Sequence, residues 1–535
     1  MARHTRAIAP TPRHAKSFRL LAALAGLALT MSLTPTAWAA TDEHIRPKDG
    51  ETVVVDDDVV VDGRIERAAL VSNDTSTETP TTVDVSGSLD ATGTFRGIGA
   101  ELSAEAGCET KVNVSGNISG TSQQDAQGAA QRCYGSIELH VGGDVESTIV
   151  DNEEYGEQAS TGFSASAYGS DASSTAEIKG SISSTSNADD SYVDGINLNV
   201  SGGATVAASV GGDVSATTTK DNRGVTGITT LNQGGTIGLE VGGSVIASSP
   251  TQTTVGIKVT DDGTTKNTQA DTIIRIHGDV NSTATGVVVN AGNEFANYAI
   301  VIEGVLRAEG VPVRIIKSGP TIDLAVGAIS TPSDVIALER DEETWTYQPT
   351  DAARAFAAGI NYLVRIDPNN VATKQVPGGT ISVVAQGGEE LRSILGQYDV
   401  ARANEVIWVR VTPDEGYVLD GVFNGDGNDR VELVQDGEGN YLLEVPTLGG
   451  IYLSALFKQA EAPAPAPEPA PTHDAAATST AEPARAAAPA IVSASAQKVL
   501  PATGDTNTTQ WITLTVLGGC LILAGALCRQ AESAA

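Results

Sequence analysis

The sequence predicts an all-β protein built on a parallel β-helix, followed by a small β-sandwich or β-grasp-like module and a disordered Pro/Ala linker. Three observations predict it. A nine-position pattern of apolar, any, apolar, any, Gly, any, apolar, any, small recurs between Val53 and Ile329. Aromatic residues are only 4% of a chain that holds 57 glycines, which disfavours a large helical core. Past residue 459 the chain turns to Ala, Pro, Glu and Thr, a composition that cannot bury a core.

The repeat is read as follows. Val83, Val85, Gly87, Leu89 and Ala91 form one copy, and Val112, Val114, Gly116, Ile118 and Gly120 the next. The glycine recurs at 143, 180, 212, 243, 278 and 304, with Gly63 in an imperfect first copy where Arg67 breaks the small position. Period two puts the apolar side chains on one face of a strand, and the pattern places the glycine on that face too, letting the strand bend at a corner. Uneven spacing between copies fits rungs joined by loops of unequal length. A second strand start recurs at Gly97-Ile98, Gly162-Phe163, Gly195-Ile196, Gly227-Ile228, Gly256-Ile257 and Gly286-Val287. Two or three short strands per turn at this period indicate rungs stacked about 4.8 Å apart. The rival fold is a string of Ig-like sandwiches, for which strands at similar spacing would also serve. This region, 40–330, resembles the right-handed β-helix folds of bacterial surface proteins and polysaccharide lyases in its architecture alone.

Beyond it the pattern stops. A short helix is predicted at Asp351 to Ala358, capped by Thr350 or Asp351. Alternating strands then resume at Tyr362–Ile366, Thr380–Ala385, Val406–Val411, Tyr417–Phe423, Val431–Val434, Tyr441–Val445 and Ile451–Phe457. The run from Glu405 to Leu419, with Tyr452 to Phe457, is similar to the small all-β repeat modules that Gram-positive surface proteins carry near their anchors. That resemblance implies a spacer or stalk role for 331–458. Residues 459–499, with Pro463, Pro465, Pro467, Pro469 and Pro471, read as an extended wall-spanning linker.

The two ends carry the strongest motifs. Leu500-Pro501-Ala502-Thr503-Gly504 is followed by a polar run and then by an apolar run from Trp511 to Leu527. About 20 apolar residues span a bilayer, so 511–527 reads as a marginal transmembrane segment. Residues 500–535 thus resemble the cell-wall sorting signal of L-P-x-T-G surface proteins, the substrates of sortase transpeptidases. The resemblance implies cleavage between Thr503 and Gly504 and covalent attachment of Thr503 to peptidoglycan, with membrane contact only before sorting. The tail departs from the family pattern, since Arg529 is its only cation and Glu532 opposes it. At the other end Arg3, Arg6, Arg13, Lys16 and Arg19 precede the apolar segment Leu20 to Leu33 and the small-residue site Ala37-Trp38-Ala39, the layout of a signal peptide over 1–39. Export to a Gram-positive cell wall is the expected localisation.

Chemistry is sparse between the ends. The formal charge of -33 repels nucleic acid and other polyanions. His44, His140, His277 and His473 show no zinc-site spacing, and no nucleophile-elbow motif marks a serine. His140 and His277 fall on outward positions of the repeat. Carboxylate clusters at Asp56, Asp57 and Asp58, at Asp151, Glu153 and Glu154, and at Asp189, Asp190 and Asp194 are the candidates for polysaccharide chemistry, though each reads first as a solvated turn. Asn424, Asp426, Asn428 and Asp429 alternate oxygen donors as a calcium loop does, but lack a bidentate Glu. The expectation is therefore no enzyme, no metal and no cofactor. Cys108 and Cys133 lie about one rung apart in an exported chain, and a disulfide between them is expected. The function predicted is display for adhesion or ligand presentation, with host or bacterial glycans or proteins as partners. A polysaccharide lyase or hydrolase and a structural spacer are the alternatives.

Overall fold

The computed structural model describes residues 36–38, 44–75, 79–150, 157–251, 253–261, 269–293, 295–318, 321–330, 336–340, 343–347, 360–366, 375–376, 378–425 and 430–461. Strands and turns account for all regular structure among them, and three parallel ladders make up the β-helix. The first runs through Thr52–Val55, Thr81–Val85, Glu109–Val114, Ser136–Val141, Ser173–Ile178, Thr205–Val210, Thr236–Val241 and Ala270–Ile276 into the front of Ala296–Ala308 and of Thr321–Ser330. The second starts at Val59 and Leu89 and continues through Ile118–Ser122, Val145–Ile149, Ile182–Ser186, Val214–Thr218, Val245–Ser248 and Val280–Ser282. The third passes through Asp125–Cys133, Gln158–Tyr168, Ser191–Ser201, Asn222–Gln233, Thr254–Thr260, Thr285–Ala291 and Val313–Ser318. Parallel pairing between successive copies excludes the sandwich alternative.

The apolar repeat positions stack in register. Val85, Val114, Val141, Ile178, Val210, Val241, Ile276, Ile302 and Val326 form one buried column, and Leu89, Ile118, Val145, Ile182, Val214, Val245, Val280, Leu306 and Ile329 another. Each side chain packs on its homologue above and below, which is why branched aliphatics dominate.

The repeat glycine differs from the expectation. From Gly87 onward it is half-buried at the corner between the first and second ladders and does not point into the core, whereas Gly63 pairs with Gly93 and Asp57 holds the corner place on the first rung. Its constraint is close approach along the axis: Gly243 N donates to Gly212 O at 3.0 Å, and Gly212 N to Gly180 O at 2.9 Å. A Cβ on Gly243 would meet Gly212 carbon and oxygen at 2.8 Å. A second glycine stack marks a bend inside the third ladder, where two successive residues, such as Gly195 and Ile196, are both buried and the inward phase shifts by one. Here Gly99-Ala100 and Gly128-Ala129 hold the places on the early rungs, since Ala100 pairs with Ala129 and Ala129 with Phe163. The Gly97-Ile98 reading was two residues out of register.

Beside the glycines runs a side-chain ladder. Ser88 N donates to Asp58 Oδ1 at 2.7 Å, Asn117 N to Ser88 Oγ at 3.1 Å, Asp144 N to Asn117 Oδ1 at 2.9 Å and Ser181 N to Asp144 Oδ1 at 2.7 Å. It continues with Asp213 N to Ser181 Oγ, Ser244 N to Asp213 Oδ1, Asp279 N to Ser244 Oγ and Val305 N to Asp279 Oδ1. Corner amides that would otherwise face solvent unpaired are thereby bonded.

Ile360–Ile366 extends the first ladder, pairing parallel with Leu324–Val326, and then turns into the module. There it lies antiparallel to Tyr398–Arg402 and parallel to Ile451–Gln459. A separate five-stranded antiparallel sheet joins Gln375–Val376, Gly379–Ala385, Val406–Pro413, Tyr441–Glu444 and Val434–Gln435. The module shares one core with the last rungs, in which Leu324, Val326, Tyr362, Ile407 and Ile451 belong to the same cluster. The helix expected at 351–358 lies outside the described residues, as does everything beyond residue 461.

Gly243→Ala is expected to destabilise the fold by about 1–3 kcal/mol because the backbone of the rung below has no room to yield. Gly238→Ala is the control: a Cβ there meets nothing within 4 Å, so urea unfolding of that variant stays within about 1 kcal/mol of the parent or gains stability.

Candidate binding surface

Alternation along each strand leaves every second side chain outside, so the outer faces form a grid with one position per rung. Several residues singled out in the sequence fall on it. His140 and His277 point outward as expected, but each is held by carboxylates of neighbouring rungs. His140 Nδ1 lies 3.2 Å from Glu177 Oε2, while His277 Nε2 and Nδ1 lie 3.0 and 2.9 Å from Glu240 Oε1 and Glu303 Oε1. Tyr398, from the module, donates to Glu303 Oε1 at 3.0 Å, so the His277 cluster joins the β-helix to its neighbour. Hydrogen bonds donated to Glu240 and Glu303 push His277 up to about 10, against an opposing effect of burial. The same bond holds Glu240 below the ordinary glutamate range. His44 lies 3.1 Å from Glu66 and 2.7 Å from the Arg67 carbonyl.

The carboxylate clusters are dispersed. Asp58 belongs to the corner ladder, and Asp57 Oδ1 accepts from Asp58 N at 2.9 Å. Asp190, at φ 60°, takes a bidentate bond from Arg223 at 2.6 and 2.7 Å, while Asp194 stands on the next outward face of the third ladder, bonded by Thr229 at 3.2 Å. Burial raises the Asp194 carboxyl, with Thr229 and Lys258 opposing. Asp151, Glu153 and Glu154, with Asp426, Asn428 and Asp429, lie outside the described residues, as do Leu500 to Gly504 and the apolar run 511–527. Among the described residues no group of three His, Cys, Asp or Glu gathers as a metal site, and no helix is long and apolar enough to cross a membrane.

The expected disulfide is not formed. Cys108 and Cys133 are separate buried thiols. The register explains it: Cys133 pairs with Ala104, while Glu109 pairs with Ser136, which sets Cys108 beside Gly135. Cys133 Sγ instead donates toward Gly135 O at 3.0 Å and Ser173 O at 3.2 Å, and burial pushes its thiol up to about 11.

Two features escaped the sequence reading. The corner ladder was signalled by Ser, Asn or Asp directly after each repeat glycine from Gly87 to Gly278. The other is an aromatic pair on the outer edge of the third ladder, Tyr134 and Tyr168, with ring centroids 5.3 Å apart. Its signal was a recurring Tyr-Gly, at 134–135 and 168–169, closing successive strands. Open recesses also mark the surface of the described residues. One of about 520 Å³ is lined by Asn361, Glu390, Arg392, Arg402 and Asn404, and one of about 420 Å³ by Asn281, Thr283, Arg307 and Glu309.

Alkylation of the denatured, unreduced protein is expected to modify both Cys108 and Cys133, and mass spectrometry of a linked peptide would contradict this. The His277 cluster predicts a pH signature. A raised histidine contributes fully below its unfolded value of about 6.5 and loses that contribution as pH rises through about 10. Glu240 contributes above about 4.5 and loses its share as pH falls through its lowered folded value. The difference in melting temperature between the parent and His277→Gln should therefore be largest near pH 5–6.5, shrink steadily above that and vanish past about 10. Comparison with family models, curated proteins and solved structures finds no match to the chain.

Proposed function

We propose that the protein is exported, joined to the Gram-positive cell wall through Thr503 by a sortase, and displays its β-helix for adhesion or ligand presentation. The observation that carries this reading is the order at the C-terminal end: Leu500-Pro501-Ala502-Thr503-Gly504, a polar spacer, and an apolar run, behind a signal-type N-terminal segment. In sortase chemistry an enzyme thiolate attacks the Thr503 carbonyl and Gly504 leaves as the amine. A wall amine then attacks the thioester, forming an amide to Thr503 and releasing the thiol. The apolar run 511–527 would hold the motif at the outer membrane face until that step.

The β-helix supports the display half of the reading. Its interior is filled by stacked aliphatic side chains, and its outer faces carry small polar residues at one per rung. Such a surface offers many adjustable positions on a scaffold held by backbone bonds, as binding faces of solenoids do.

Thr503→Ala, or replacement of Leu500 and Pro501, is expected to move the protein from the covalent wall fraction to the membrane or the medium. Wall linkage that survives these changes, read by muramidase release and blotting, would falsify the sorting step.

A further inference from the structure

We propose that Tyr168, stacked on Tyr134 and flanked by polar outward residues of the third ladder, is a binding platform for a neutral pyranose glycan. The proposal rests on the display reading and gives it a ligand class. Tyr134 and Tyr168 follow directly on the paired residues Cys133 and Ala167, so they occupy the same place on adjacent rungs. Their rings are inclined by 30° at 5.3 Å, close to the rung spacing of about 4.8 Å. Arg132 supports the lower ring: its guanidinium lies 5.7 Å from the Tyr134 centroid and donates to Tyr134 Oη at 3.1 Å.

The stack stops after two rings. Tyr168 pairs with Ser201 on the next rung, and Ser201 is followed by Gly202 and Gly203, at φ 68° and 89°. None of the three carries a side chain large enough to cover the Tyr168 face turned toward them. Gly169, beside the ring, also borders open space, for a Cβ there would meet nothing within 4 Å. One outward position earlier on the same strands stand Ser166 and Asn199, paired with each other across the rungs.

A half-buried phenol ring with only small side chains on the next rung, and the Ser166 hydroxyl one outward position away, matches the two sides of a pyranose, whose C–H face is apolar and whose rim is hydroxylated. The shallow, open setting suits a polymer lying along the surface better than an enclosed small molecule. The formal charge of -33 selects against anionic glycans and leaves neutral ones.

The test titrates the full-length protein with soluble cello-, xylo- and chito-oligosaccharides, reading tyrosine fluorescence and saturation-transfer NMR. Binding of at least one series is expected, with Tyr168→Ala weakening it by about tenfold or more and Tyr168→Phe keeping it within about twofold, since the ring stacks and the hydroxyl does not. Melting temperature serves as the folding control. A second variant leaves the stack intact: Ser201→Tyr fills the vacant place above Tyr168 and should block the same ligand. No binding of any of the three series, or binding that survives both Tyr168→Ala and Ser201→Tyr, overturns the proposal. Wall linkage through Thr503 is read by fractionation, so its failure is distinguishable from failure of the titration.

Discussion

The structure depends on one constraint: at the corner between the first two ladders, successive rungs approach until glycine rests on glycine. From Gly116 to Gly304 the amide of each corner glycine donates to the carbonyl of the one below, as Gly278 N does to Gly243 O at 2.9 Å. No side chain fits in that contact, so the glycine is fixed by the rung beneath it and not by local conformation. Once the corner is fixed, the residues two positions before and after it point inward, as Val241 and Val245 do about Gly243, and the apolar columns follow. The polar ladder next to it obeys an electrostatic rule as well. Its acceptors run Asp58, Ser88, Asn117, Asp144, Ser181, Asp213, Ser244 and Asp279, so no two carboxylates are stacked directly. Like charges one rung apart would repel at a distance where Coulomb energy is appreciable even near a surface.

A stack of parallel rungs leaves a row of unpaired backbone groups at each end, which invites pairing with another chain. At the C-terminal end the module covers it. Ile360–Ile366 satisfies the last rung by pairing with Leu324–Val326, and Tyr362 Oη, buried, donates to Thr447 O at 2.6 Å. Ile329 N and Gly450 N form further bonds across the junction, to Leu448 O and Gly327 O, each 2.8 Å long. Arg365 lies over the Tyr452 ring at 3.7 Å. The module is thus a cap on the β-helix.

The β-helix was legible because its core is periodic: one residue in two is inward, most often apolar, along the strands, and Val241 or Ile276 can be placed inward from sequence alone. Register across the turns was not. It depends on the summed lengths of connections, and the turn Glu105–Cys108 is longer than Tyr134–Gly135. That difference moved the two cysteines out of line. The corner ladder was hidden for another reason. Its residues sit at a position that the apolar pattern leaves free, and their bonds link chain positions one rung apart, which no local rule couples. The short pairing strands of the module, Gln375–Val376, Arg392–Ile394 and Tyr398–Arg402, carry too few alternating residues to stand out.

The same division explains where a binding face can arise. Inward positions are tied to their homologues above and below, so a change at Val210 must suit both Ile178 and Val241. Outward positions are coupled only where side chains pair across rungs, as Lys111 does with Glu109 and Glu138 at 2.8 and 3.1 Å or Thr148 with Thr185 at 3.2 Å. Tyr134 and Tyr168 occupy places that Ser201 and Gln233 fill on later rungs, with the backbone register unchanged. An aromatic can therefore enter this column without cost to the core, and the face it presents is set by the residue on the next rung. Recognition on such a scaffold is written as a sequence of neighbours along the axis, in which a small residue beside a large one creates the opening.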